Sequence, residues 1–316
     1  MMPAANTGAA QPAAYMEGGN TATSAESAGA TATCPVCPHH CRLKLGQLGR
    51  CRARRNVDGT VTTESYGRVT SLVLDPIEKK PLARFMPGTL VVSLGSYGCN
   101  LTCPFCQNHE IAQVGASEVA WRTIDPAELV ELAEQARTRD PRIAGIAYTY
   151  NEPLVGWEYV RDCALLAHER GLVNVLVSNG CSEAPVLDAL DGLIDAANID
   201  LKGFDPAAYR ALGGDADAFR CARATIERLA CDPTCHLEVT TLVVPGMNDT
   251  DADIAACARW LAALDEGRGS RDIAYHVSRF FPRWRMLDRS PTPVTDVYRL
   301  ADVAHRYLDH VYTGNC

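Results

Sequence analysis

No run in this chain approaches the roughly 18 apolar residues of a membrane span, so no transmembrane segment is expected. The N-terminus lacks a basic start followed by an apolar core, so no secretory signal is read. Lysine is scarce: Lys44, Lys79, Lys80 and Lys202 are the only ones, and arginine supplies the remaining positive charge. The formal net charge is −8, which leaves no global basic field to draw nucleic acid or an anionic membrane. Neither is expected as a partner. No Walker phosphate loop, dinucleotide-binding glycine fingerprint or Ser-His-Asp arrangement is evident, which sets aside three large enzyme classes. Cysteine, by contrast, is abundant, with 14 in 316 residues. In a secreted chain these would suggest disulfides. Without a signal, a reducing cytoplasm is the better fit, with clustered cysteines as metal ligands.

Residues 1–32 carry Ala, Gly, Thr and Ser and almost no large apolar side chains. Such a segment buries too little to offset its ordering entropy, and a disordered leader is expected. Residues 33–89 read as a Cys-rich metal-binding module and linker. They hold a first cysteine cluster, a strand over Gly67–Leu74 and an irregular link over Asp75–Pro81. Over 90–316, apolar strands alternate with helices. Strands are expected at Leu90–Leu94, Gly145–Tyr150, Asn174–Val177, Ala197–Leu201, Leu237–Val244 and Ile273–Val277, with a short last one at Val311–Thr313. Helices are expected at Pro126–Arg139, Glu158–Arg170, Ala184–Leu193, Ala216–Ala230, Asp251–Leu264 and Val294–Leu308. The first has Asp125 as N-cap and proline at its first position. Successive strand–helix units imply a parallel sheet with right-handed crossovers. Six units rather than eight predict an α/β fold, a partial (β/α)6 TIM-like barrel behind a small N-terminal Cys-rich metal module. Function in such sheets gathers at the C-terminal ends of the strands.

Just after the first of these strands stands Cys99-Asn100-Leu101-Thr102-Cys103-Pro104-Phe105-Cys106, with spacing C-x3-C-x2-C. Three thiolates can hold three irons of a four-iron cluster and leave the fourth iron without a protein ligand. Electron-transfer clusters are closed by four cysteines. An open iron is a coordination site, as in catalytic zinc centres that keep one position vacant. Gly95 and Gly98 precede the loop and permit close backbone approach to such a cluster. The later strands end in Asn151 and Glu152, then Ser178 and Asn179, then Asp200 and Lys202, then the Pro245–Asp249 turn, then His276. Asp200 and Lys202 alternate and so face one side of their strand. An unpaired lysine is rarely buried, so Lys202 points to function.

The C-x3-C-x2-C loop, with aromatic Phe105 before its last cysteine, resembles the radical S-adenosylmethionine (SAM) enzymes, and the order of elements over 90–316 agrees. Asp200-Leu201-Lys202, Val244-Pro245-Gly246 and His276 resemble the glycyl-radical-enzyme activases, typified by pyruvate formate-lyase activating enzyme. Asp75–Pro81, Ala147–Pro153, Val311–Asn315 and the N-terminal cysteines are similar to the AmmeMemoRadiSam-system radical SAM proteins. The resemblance implies an oxidoreductase with a 4Fe-4S cluster on Cys99, Cys103 and Cys106 and with SAM chelated to the open iron. One electron would split SAM to a 5′-deoxyadenosyl radical, which takes hydrogen from a substrate. It also implies cofactor-binding roles for Phe105 (against adenine), Asn151 and Glu152 (toward the methionyl amine), Asn179, Asp200 and Lys202 (toward the amine, ribose and carboxylate) and His276 (near the ribose). Asn151 and Glu152 stand where the family usually has Gly-Gly-Glu, and the glycines are absent here. A flavodoxin- or ferredoxin-type electron donor and a protein substrate, such as a glycine to be activated, are the implied partners.

Blander readings stand beside these. Cys99, Cys103 and Cys106 with His109 or another cysteine would make a structural zinc site. Asp200 and Lys202 would make a buried salt bridge, His276 a satisfied core histidine and Glu152-Pro153 a strand end. Cys163, Cys181, Cys221 and Cys257 read as small apolar residues, and Cys231 and Cys235 as non-metal. Cys34, Cys37, Cys41 and Cys51 give four thiolates, enough to close either a zinc site or an auxiliary iron–sulfur cluster. Five arginines surround them, at positions 42, 50, 52, 54 and 55. Two rival functions follow: a metal-binding redox or interaction scaffold, and an RNA-modifying radical SAM enzyme using the arginine-rich module.

Overall fold

The computed structural model describes residues 31–212, 214, 217–268 and 272–316. All but the last two residues of the expected leader lie outside that range. Two short antiparallel pairs come first: β1 (Ala32–Thr33) with β2 (Arg42–Leu43), and β3 (Arg54–Val57) with β4 (Thr60–Thr63). Next come β5 (Arg68–Val69), β6 (Ser71–Pro76), β7 (Leu90–Gly95), the short helix α1 (His109–Ala112) and β8 (Arg122–Thr123), which pairs back on β5. Helices and strands then alternate: α2 (Pro126–Arg139), β9 (Ile143–Tyr148), α3 (Trp157–Glu169), β10 (Val173–Ser178), α4 (Ala184–Asp188), β11 (Ala196–Asp200), α5 (Pro206–Ala211) and α6 (Ala218–Cys231). The series closes with β12 (His236–Val243), α7 (Asp251–Arg268), β13 (Ala274–Arg279), α8 (Val294–His305) and β14 (Val311–Gly314).

One eight-stranded sheet runs in the order β14-β13-β12-β11-β10-β9-β7-β6, parallel throughout except for the antiparallel edge strand β6. This is the expected mostly parallel α/β arrangement. Helix α2 spans the predicted residues, and Asp125 accepts the Glu128 amide at 2.8 Å as its cap. Three local expectations change. The strand predicted over Gly67–Leu74 breaks between β5 and β6, because β5 pairs with β8 while β6 joins the main sheet. The helix predicted to run to Leu193 stops at Asp188, short of Gly192 with its φ of +68°. Helix α5 fills an expected loop, capped by Asp205 ahead of Pro206. The expected helix start at Ala216 lies outside the described residues.

One face of the sheet packs on the helices through residues such as Val92, Leu94, Ile146 and Tyr148. The link after β6 crosses the other face. Ile77 and Leu82 are buried there against Val91, Ala147, Val175 and Ala196. Backbone groups buried by such a plug need partners. Asn198 donates to the Pro81 carbonyl at 2.7 Å, and Glu238 accepts the Ala83 and Arg84 amides at 2.9 and 2.8 Å. Glu238 is fully buried and also accepts His236 Nε2 at 3.0 Å and His276 Nε2 at 2.5 Å. Burial works against its charge, but the two imidazoles and the two amides outweigh it and hold the carboxyl well below the usual range.

Removing this acceptor leaves four donors unmatched in the interior. Glu238→Ala is expected to lower the unfolding free energy by about 3 kcal/mol in chemical denaturation. A depressed native pKa contributes stability that is present above the ordinary carboxylate range and lost as pH falls through and below it. The gap between the wild type and Glu238→Gln should therefore shrink on acidification from pH ~7. A gap that does not change with pH would contradict the assignment.

Candidate active site

The loop between β7 and α1 carries Cys99, Cys103 and Cys106, all partly exposed thiols outside any disulfide. Backbone bonds shape it: Cys106 N to Cys103 O at 3.1 Å and Thr102 N to Leu212 O at 2.9 Å. Gln113 Nε2 holds the Leu101 carbonyl at 2.9 Å. Burial pushes the Cys103 thiol up to about 11, and neighbouring Cys106 adds to this while Lys202 acts against it. Burial also raises Cys99 and Cys106. The set therefore favours neutral thiols until a metal takes them as thiolates. Three thiols close to one another beside a buried ammonium fit an anionic iron–sulfur cluster. Among the described residues, no group of three or more His, Cys, Asp or Glu is arranged to hold a single metal ion.

Parallel register gathers the polar residues beside this loop. Asp200 aligns with Thr240, Thr240 with His276, and His276 with Tyr312. Lys202 Nζ donates to Asp200 Oδ2 at 2.8 Å, so the pair bonds within one segment. Burial opposes the Lys202 charge, yet Asp200 and Cys103 outweigh it and hold the ammonium above its ordinary value. Asn248 Nδ2 fixes the Lys202 carbonyl at 3.0 Å. His276 lies mid-strand, stacked on Tyr312 at 5.4 Å and tied through Nε2 to Glu238. The satisfied-histidine reading thus describes one of its two ring nitrogens.

Glu152 is buried between the ends of β9 and β10. Its carboxylate accepts Ser178 Oγ at 2.7 Å, Leu154 N at 3.0 Å and Asn179 N at 2.9 Å. Burial still pushes it up to about 7. Asn179 donates through Nδ2 toward Cys99 Sγ at 3.6 Å and to Asn100 Oδ1 at 2.8 Å. Asn151 accepts Ser96 N and donates to the Tyr97 and Gly98 carbonyls, so it positions the chain entering the cysteine loop. Phe105 is 9% exposed and packs edge-on against Phe280 at 6.0 Å, beside Met286.

Several contributors escape a reading of motifs. The segment after β13 straps the loop: Arg285 N donates to Pro104 O at 2.9 Å, and Trp284 stacks on His109 at 5.5 Å. Asn100 Nδ2 holds the Cys181 carbonyl at 2.7 Å, and its own carbonyl receives His39 Nε2 at 2.7 Å. Glu238, an acid in an apolar strand, carried the same signal as Lys202. Gly98 does give a close backbone approach, but to the N-terminal cysteines. A Cβ there would stand 2.3 Å from the Cys51 carbonyl oxygen. Cys163, Cys181, Cys221 and Cys257 are buried, as small apolar residues should be. A cleft of about 470 Å³ opens at the strand starts around Cys235–Leu237, the opposite end from the cysteine loop.

Comparison with known proteins bears on the family and the fold. The sequence model of the Radical SAM superfamily matches residues 94–261. An uncharacterized protein of Methanocaldococcus jannaschii is 39% identical over 292 residues, covering 89% of this chain and 80% of that protein. A radical SAM methyltransferase from Sphaerobacter thermophilus superposes with a TM-score of 0.54 at 17% identity, over 72% of this chain and 67% of that one. Streptococcus suis SuiB bound to S-adenosylmethionine superposes with a TM-score of 0.53 at 13% identity, over 72% and 50%.

Gly98 has a φ of +88° and no room for a side chain, whereas Gly88, at +81°, has nothing within 4 Å of where a methyl group would stand. Gly88→Ala therefore measures backbone strain alone. Gly98→Ala is expected to lose about 2 kcal/mol more, read by thermal denaturation with limited proteolysis of residues 34–60. Equal losses would show that the two cysteine segments do not press together.

Proposed function

The chain belongs to the Radical SAM superfamily, and from that premise we propose an enzyme that holds a 4Fe-4S cluster on Cys99, Cys103 and Cys106 and binds SAM beside it. The observation that carries this reading is the meeting of three free thiols with the Asp200–Lys202 pair at the C-terminal edge of the sheet. When bound, the cluster and SAM supply one-electron sulfonium cleavage and hydrogen-atom abstraction from the substrate.

The chain's own residues bind and orient. Lys202, kept protonated, would hold the methionyl carboxylate. Asp200, whose side chain is 37% exposed, accepts from the amine or a ribose hydroxyl. A carboxylate offers about four acceptor directions, and three of those on Glu152 are filled within the chain. Glu152 is 2% exposed, so it acts through the Ser178 and Asn179 segment that it holds beside Cys99. Asn179 donates toward the Cys99 sulfur, and such bonds tune a cluster's potential. Phe105, Phe280 and Met286 form an apolar wall that keeps water from the loop. His276, in the same register row as Asp200, would be the residue nearest a ribose bound beside Asp200.

The substrate we adopt is a protein glycine, as the activase-like residues suggest, and the AmmeMemoRadiSam assignment belongs to the same proposal. A flavodoxin- or ferredoxin-type reductant and a cytoplasmic setting complete it. Cys34, Cys37, Cys41 and Cys51 would hold a second metal group, one larger than the single ion for which no described cysteine group is arranged. The RNA-modifying alternative is disfavoured by the module's own pairing: Arg54 bonds Glu158, and Arg55 bonds Glu64. No helix among the described residues is long and apolar enough to cross a membrane.

Anaerobic reconstitution with iron and sulfide, followed by SAM and dithionite, should yield 5′-deoxyadenosine. Cys103→Ala should reduce it to background, while Cys231→Ala, at an exposed thiol outside both cysteine groups, retains it. Lys202→Ala should weaken SAM binding about tenfold or more, the value of one hydrogen bond to a charged group. A protein that binds only zinc and makes no deoxyadenosine would instead support the scaffold reading.

A further inference from the structure

Four thiols remain beyond the site just described. Cys34, Cys37 and Cys51 are buried, Cys41 is partly so, and none is in a disulfide. Cys34 N bonds Cys41 O at 3.0 Å and His40 N bonds Cys37 O at 3.1 Å, which folds the first three into one knuckle. Gly49 N to Arg54 O at 2.8 Å and Arg52 N to Gly49 O at 2.9 Å shape the turn that returns Cys51 to them. Cys37 feels the charge of Cys51, Cys34 and Cys41, and Cys51 that of Cys34 and Cys41, so all four share one small volume.

A buried donor points at one of these thiols. Arg54 is 3% exposed, and its Nη atoms bond Glu158, Val155 O and Val61 O. Its Nε has no oxygen or nitrogen acceptor, and the guanidinium hydrogen-bonds the Cys34 side chain. The guanidinium lies close enough to act on both Cys34 and Cys51. A buried guanidinium directed at thiols is suited to a thiolate or sulfide acceptor, since buried donors are matched.

This module forms a wall of the radical site. The Cys51 carbonyl abuts Gly98, the residue before Cys99. His39 bonds the carbonyl of Asn100, the residue after Cys99. Val36 O receives Glu183 N at 3.0 Å and Ser182 Oγ at 3.3 Å from the loop that carries Asn179. A path from the Cys51 sulfur to the Cys99 sulfur therefore runs through covalent bonds with one van der Waals contact between.

We propose that Cys34, Cys37, Cys41 and Cys51 hold a second iron–sulfur cluster, closed by four thiolates, that passes electrons to the Cys99–Cys103–Cys106 cluster across the Cys51–Gly98 contact. This rests on the reading of the Cys99 loop as the holder of the first cluster. A closed cluster carries electrons without binding substrate. A low-potential flavodoxin- or ferredoxin-type protein gives it one electron. That electron moves to the cluster at Cys99, and the second cluster returns to its oxidised state with no bond made or broken. Zinc has no second oxidation state and cannot serve.

The test uses the full chain, reconstituted anaerobically, as wild type and as the Cys99/Cys103/Cys106→Ala variant, with Cys103→Ser as a milder second variant. The triple variant should keep about four irons and four sulfides per chain, half the wild-type content. Its reduced EPR signal should be narrow and slow to relax. In fully reduced wild type the same signal should be broadened and relax faster, because a second paramagnet lies in contact. Zinc, or no metal, in the N-terminal site of the folded variant overturns the proposal. So does a wild-type signal identical in width and relaxation to the variant's while both clusters are present. Failure of the reading at Cys99 looks different: wild type and triple variant would then hold the same single cluster.

Discussion

Parallel pairing from β7 to β14 forces the residue after each strand onto the same edge of the sheet, and the chemistry of this protein follows from that constraint. Each crossover returns the chain through a helix, so residues distant in sequence meet at one rim. Register does the fine placement. Asp200, Thr240 and His276 form one row because successive strands are held in register by their backbone hydrogen bonds. The cysteine loop leaves the first parallel strand and lies beside Asp200 and Lys202 at the end of that row. An open cluster ligated by one short loop needs neighbours supplied by distant strands, and this topology supplies them.

Burial of charge is the second theme. The interior holds Glu152, Glu238, Asp75, Lys80 and Arg54, each nearly solvent-free. Each is matched: Lys80 to Asp75 at 2.8 Å, Arg54 to Glu158, Glu238 to two histidines and two amides. Buried pairs seldom add net stability over apolar packing, so their value here is positional. Glu238 holds the plug against the inner face and orients His276. Glu152 fixes Asn179, which in turn faces Cys99. Arg54 also reaches the Cys34 side chain, which ties the pair to the N-terminal thiols.

Much of the fold could be read from local sequence. Asp125 before Pro126 marked the start of α2, and the apolar runs marked every strand of the parallel sheet to within about two residues. Helix α5 carried the same Asp-Pro signal at Asp205 and Pro206, but it is too short to show a helical periodicity. The cysteine loop and the Asp200–Lys202 pair were legible because their residue types conflict with simple folding needs. The roles of Asn100, Asn151, His39 and Glu238 were not. They depend on partners as far as 155 positions away, and neither spacing nor composition encodes such pairings. The close seat of Cys51 on Gly98 is of the same kind: the glycine was visible, its neighbour was not.

The central claim is that the loop at Cys99–Cys106 leaves one iron open to SAM. Mössbauer spectroscopy of protein reconstituted with isotope-enriched iron, recorded with and without SAM, tests it most directly. A single iron whose isomer shift rises when SAM is added, while its cluster partners stay unchanged, is the result this account predicts. Spectra in which every iron is indifferent to SAM would contradict it.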